Sequence, residues 1–253
     1  MKNSVVMQGL GFLILICLWE VMTRIFNLPE YIFPRFSALV LEFWKYPAYF
    51  LDGFLKTSLE SFAGLLLGGV AAYVLAVVFS FSSLLQQLFY HWFVALKTVP
   101  IIAISPMIIL WAGSGIFSKI LMASIITFFP ILVNTLHGFY NITENQLYLF
   151  HSLNANFWQT FLRLRIPMSL GYFFTGLKVA SPLSTIGAIV SEFSGANEGI
   201  GYIILKASWE SNTRALMVAV LLASIMGITL YKIIEASEYI MGKFFPHFTN
   251  KAF

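Results

Sequence analysis

The chain has 253 residues, of which 59% are hydrophobic and 10% charged, and a formal net charge of +4. Soluble domains carry roughly 25% charged residues, so a water-soluble fold of this length would lack the polar surface to coat its core, whereas a lipid-embedded one has no such need. The basic excess does not point to nucleic acid, because the 15 lysines and arginines are scattered without a dense run and basic residues commonly sit at the ends of membrane helices.

Alternating two-residue periodicity is absent, so the chain reads as all-α and not as a β-barrel. Six apolar stretches follow one another, each near the length that crosses a hydrocarbon core of ~30 Å at ~1.5 Å per residue. The first, residues 5–22, is interrupted only by Gln8 and Glu20. Lys2 ahead of it mimics the start of a signal peptide, but no small-x-small cleavage site follows. Leu13-Ile14-Leu15-Ile16 before Cys17 also lacks the small residues of a lipoprotein site. A retained anchor helix is expected. Cys17 is the single cysteine, which excludes an internal disulfide, and it is expected to be a buried small hydrophobe.

The second stretch is residues 59–81, where Gly64 and Gly68 form a Gly-x-x-x-Gly spacing that permits close helix packing. The third, 88–111, contains Pro100 and Pro106. Each removes a backbone donor, and such a break survives in a membrane only where protein or water satisfies the freed carbonyls. A gating or pathway helix and a tolerated kink both fit. The fourth stretch is 116–136, the fifth 171–193 and the sixth 215–234. Together they make one polytopic transmembrane domain, 1–253, of about six helices.

Three connections are too long for plain turns. Residues 24–57 mix charges with aromatics, as suits a segment lying at the membrane interface. Residues 137–170 form the second. Residues 194–214 form the third and hold Gly195, Gly199 and Gly201, whose spacing is not a dinucleotide fingerprint. Lys97, Lys178 and Glu192 lie within or near span ends, where a charge needs a partner, a wet cavity or a route to the interface. With six spans, basic residues divide almost evenly between the two sides, so charge does not orient the chain.

Residues 155–164 have the pattern of a short amphipathic helix. Phe157 and Phe161 stand at i and i+4 with Trp158 and Leu162 beside them, Asn154 is a good N-cap, Arg163 and Arg165 suit the C-terminal end, and Pro167 is placed to stop it. A rod that docks on a partner and a helix lying on the membrane surface both need that apolar face.

Residues 152–208 carry a resemblance. Leu164-Arg165-Ile166-Pro167 matches the end of a signature that opens with Glu-Ala-Ala, continues with Gly and closes with Ile-x-Leu-Pro. Asn154 falls at the Gly position, and Tyr148, Leu149 and Phe150 replace Glu-Ala-Ala. Asn is mild there because it tolerates positive φ; loss of the acidic residue is a departure. Lys97–Gly113, Phe128–Thr135 and Ser191–Tyr202 add similar segments in the same order. The chain therefore resembles, over about residues 55–235, the binding-protein-dependent permease family of ABC importers, in the branch serving sulfonates, taurine, nitrate and thiamine-precursor solutes.

The resemblance implies a type I ABC importer permease fold in the bacterial inner membrane. The 137–170 loop would be cytosolic, and so would both termini. It implies a dimer of permease subunits, here of identical chains, a cytosolic ABC ATPase dimer that binds ATP and Mg, and an extracytoplasmic substrate-binding protein; this chain itself would hold no cofactor. Asn154, Ala155, Phe157, Trp158, Phe161, Arg163 and Pro167 would form the ATPase-coupling segment, and Lys97, Pro100, Pro106, Glu192, Gly195 and Gly199 the pathway or gate. No catalytic or metal-ligating set is expected: a phosphate-loop motif and His-Glu-x-x-His are missing, and His91, His137, His151 and His247 are spread out. The aromatic, base-poor pathway favours a neutral heterocycle such as a thiamine pyrimidine or a riboflavin-like solute over an oxyanion. A self-sufficient secondary transporter or channel is the alternative, and would call for paired mid-membrane charges or inverted repeats.

Overall fold

In the computed structural model, which describes residues 2–97 and 99–244, the described chain is helical throughout and holds no strand. The helices are α1 (Lys2–Ile25), α2 (Phe36–Lys45), α3 (Pro47–Phe81), α4 (Ser83–Lys97), α5 (Ile101–Ala112), α6 (Ile116–Tyr140), α7 (Glu144–Ser152), α8 (Phe157–Thr160), α9 (Ile166–Phe193), α10 (Ile200–Trp209) and α11 (Thr213–Phe244). A single π turn, Phe161–Arg165, joins α8 to α9. Four stretches are long and apolar enough to cross a membrane: Pro47–Phe81, Ile116–Tyr140, Phe157–Phe193 and Thr213–Lys243.

Helices α3, α6 and α9 pack at the centre, with α11 against α9. Small residues set this spacing. A Cβ on Gly64 would collide with the Cβ of Ala123, and one on Gly68 with the Thr127 hydroxyl, so the Gly-x-x-x-Gly face is where α3 meets α6. Gly176 and Gly187 do the same for α9, where a Cβ would stand 2.9 Å from Ile131 Cα and 2.7 Å from Ala123 Cα. Without a solvent-driven hydrophobic effect between helices, such close approach supplies much of the association. One apolar cluster, with Leu65, Ile131, Leu132, Phe139, Phe161 and Phe174, fills the half holding the α6–α7 connection. Another, with Leu39, Phe50, Ile200, Ile203 and Met226, fills the other half.

Several boundaries differ from those read in the sequence. The interfacial loop 24–57 is largely helical: it contains α2 and the first turns of α3. At 35 residues α3 is about 52 Å long, more than a ~30 Å hydrocarbon core requires, so part of it stands beyond the apolar layer. The stretch 88–111 is two helices, α4 and α5, with Pro100 as the N-cap of α5. The residue before a proline disfavours the α region, which divides the run there, while Pro106 is carried inside α5. Cys17 is exposed along α1 among Leu13, Ile14 and Leu18 rather than buried, because that face of α1 lies against no other described helix.

Candidate functional site

At one end of the bundle, α7 and α8 form an elbow between α6 and α9. Two capping boxes shape it. Thr143 and Gln146 cap α7, and Asn156 and Gln159 cap α8, each pair exchanging side-chain and backbone hydrogen bonds. Asn154 is therefore not the cap expected of it. It lies in the turn between α7 and α8 at φ 54°, the left-handed region that its alignment with a Gly position calls for. Ala155 is half-buried beside it.

Beyond the elbow the helix does not stop at Pro167. Residues 157–193 run on as one apolar helix, and Pro167 falls in the first turn of α9, where its missing N–H is tolerated because the π turn has already interrupted the ladder. The extra residue of the π turn shifts the phase of α9 relative to the elbow residues that precede it. Phe161 is only 4% exposed, with its ring 4.5 Å from that of Phe81 and 6.1 Å from that of Phe139. It anchors the elbow to the bundle as the inner ring of an aromatic cluster whose outer members, Phe157 stacked on it at 6.4 Å and Trp158, are 57% and 60% exposed. Arg163 is exposed and Arg165 half-buried. The outward apolar surface extends instead onto α7 and the turn, through Tyr148, Leu149 and Leu153. The sequence reading passed over these three, although Tyr148 and Leu149 occupy signature positions.

At the opposite end of α3, α6 and α9 lies a buried polar cluster. Glu192, fully buried at the end of α9, accepts hydrogen bonds from the Thr57 hydroxyl of α3 at 2.6 Å and from the Gly201 N–H of α10. The Ile200 N–H donates to Thr57 Oγ1 at 2.8 Å. The first turn of α10 is thus capped by side chains from two other helices. Gly199 precedes it at φ 104°, and a Cβ there or on Gly201 would strike the Glu192 carboxylate. Glu60 of α3 faces Glu192, and Lys119 of α6 approaches Glu60 at 3.4 Å; both are buried, at 3% and 5% exposure.

The predicted gate residues come together only in part. Glu192 and Gly199 meet in this cluster. Gly195 lies in the turn after α9, opposite Ile109 of α5, and Ser105 of α5 donates to Ser194 at 2.8 Å. Pro100 and Pro106 are exposed on the α5 side of that contact. The Lys97 side chain falls outside the described residues. Lys178 pairs with Glu238 of α11 at 2.8 Å. Thr57, Glu60 and Lys119 were missed, and the signal that could have found them is the presence of Glu60 and Lys119 inside runs otherwise free of charge.

Among the described residues, an all-helical bundle with four helices long and apolar enough to cross a membrane and an elbow between α6 and α9 defines a polytopic membrane protein. The chain belongs to the family described as binding-protein-dependent transport system inner membrane component, which matches residues 64–243. It is 32% identical over 233 residues to the formylaminopyrimidine transport permease protein ThiX of Halalkalibacterium halodurans, covering 92% of this chain and 93% of that one. It is 29% identical over 218 residues to a probable ABC transporter permease protein of Haemophilus influenzae, covering 86% and 89%. Among solved structures, the inward-facing MetNI methionine ABC transporter superposes with a TM-score of 0.58 at 15% identity, over 74% of this chain and 95% of that one. The chain is thus a multi-pass ABC importer permease with the type I fold.

Proposed function

We propose that this chain passes a small heterocyclic solute, of the formylaminopyrimidine kind, across the cytoplasmic membrane. An extracytoplasmic binding protein delivers the solute, and a separate ABC ATPase dimer, which binds ATP and Mg, drives its passage. Two copies of the chain form the pathway, each with six spans and both termini in the cytosol. The solute assignment rests on the similarity to a relative named for formylaminopyrimidine transport, together with an aromatic, base-poor chain.

The observation that carries the mechanical part is the elbow. Phe157 and Trp158 are exposed on a segment whose next aromatic, Phe161, is locked into the bundle. Force applied to the exposed pair passes through a four-residue helix and a π turn directly into α9, with no flexible linker between them. Such a lever suits a groove on an ATPase whose closure must tilt membrane helices. The family's signature region lies here, which supports a cytosolic position for the elbow.

The test is the double substitution Phe157→Ala, Trp158→Ala in the assembled transporter. Aromatic anchors at an interface commonly contribute about 2 kcal/mol or more, and ~1.4 kcal/mol is a factor of ten. ATPase association should weaken more than tenfold and uptake should be lost, with the permease still inserted and folded. Full uptake with the ATPase still bound would refute the assignment.

A further inference from the structure

The buried cluster at the far end of the bundle joins α3, α6, α9 and α10 through charged groups, an expensive arrangement where water is excluded. Its bonding is uneven. Glu192 is well served, by Thr57 and by the start of α10, where the unpaired N–H groups of a helix favour negative charge. Glu60 is not: Lys119 reaches Oε1 at 3.4 Å, while Oε2 is buried with no hydrogen-bond partner. Glu60 and Glu192 are neighbours beside a single ammonium, as two carboxyl groups that share one proton can be. A partly satisfied buried network of this kind is held only because the surrounding packing imposes it. Here the packing is close: Gly53 of α3 lies against Gly199 and Ile203 of α10, and Ala207 of α10 is buried in the cluster around Phe50.

We propose that Lys119, Glu60, Glu192 and Thr57 form a metastable lock that holds α10 down on α3, closed by the Glu192 and Thr57 caps and strained by the unpartnered buried oxygen of Glu60. Lys119 is the positioning residue that keeps it shut. Glu60 supplies the tension, since opening gives its unserved oxygen access to water. The Lys56 ion pairs to Asp52, at 2.8 Å, and to Glu198 fasten the connection leading into α10 from the exposed side, but they are solvated and contribute little by comparison. The lock sets how often this end of the permease opens. It rests on the function proposed above only for the side of the membrane from which α10 is reached.

Ala207→Cys, made in a Cys17→Ser chain, places a thiol beneath α10, and its reaction with a membrane-impermeant maleimide follows the opening equilibrium. Lys119→Met should speed labelling about tenfold or more by leaving the buried Glu60 carboxylate without its cation. Glu192→Gln should speed it about tenfold, because an amide has one acceptor oxygen and cannot accept from both the Thr57 hydroxyl and the Gly201 N–H. Adding Glu60→Gln to Lys119→Met should return labelling to the parent rate or below. If Lys119→Met does not fold, the other two variants carry the test. Parent rates in Glu192→Gln, with thermal unfolding unchanged, would overturn the lock. Failure of the added Glu60→Gln to bring labelling to or below the parent rate would overturn it too. Labelling of the parent only in inside-out vesicles would instead overturn the orientation, while the ratios among variants still judge the lock.

Discussion

The Phe161 ring lies 4.5 Å from the Phe81 ring, centroid to centroid, so the last residue of α3 is clamped to the π turn that begins α9. Two helices that enter the elbow from different parts of the chain are thereby fixed to each other at its base. Phe139 of α6 also stacks on Phe161, at 6.1 Å with the rings nearly parallel. Replacing Phe161 with Ala opens a cavity among three helices, for which the expected cost is about 3–5 kcal/mol. Thermal unfolding of the solubilised permease should show that loss. Phe157→Ala, on the exposed side, should leave the unfolding temperature nearly unchanged, and an equal loss in both variants would count against the division between anchor and docking face.

The α3–α6 seam allows no side chain at Gly64 or Gly68. Gly68→Leu should force the helices apart and prevent stable insertion, read as degradation in the membrane fraction. Gly69→Ala is the control: its Cβ would stand 3.2 Å from the flexible end of Leu177, and near-parent levels are expected.

Gly199 combines a positive φ with direct contact to the Glu192 carboxylate. Gly199→Ala adds both backbone strain, of order 1–3 kcal/mol, and a collision with the cap. Protease or maleimide access to the 194–210 segment should rise in the variant while the elbow end stays protected. Unchanged access would mean that the cap is not needed to seat α10.

The proposed six spans with cytosolic termini would put α10 outside and the elbow inside. Ser208→Cys, exposed on α10, should react with an impermeant reagent in intact cells, and Gln159→Cys, exposed on the elbow, should not. The reverse pattern would invert the topology.

Much of the molecule was legible because lipid imposes simple demands. A chain with 10% charged residues cannot coat itself for water, and backbone groups in hydrocarbon must be paired internally, so apolar runs of span length become helices. The Gly64–Gly68 spacing named a packing face before any partner helix was known, and the Leu164–Pro167 segment with its companions named the family. What the tertiary structure decided is where each side chain points and what it meets. A period of 3.6 residues placed Phe161 beside Phe157, and their rings do stack, but only the packing of Phe81 and Phe139 on the Phe161 ring buries it and leaves Phe157 on the outside. Glu60, Lys119 and Glu192 are separated by long stretches of sequence, and each taken alone is a costly charge. Only the packing of α3 on α6 and α9, set by glycines that let the backbones touch, brings them within reach of one another and of the first turn of α10.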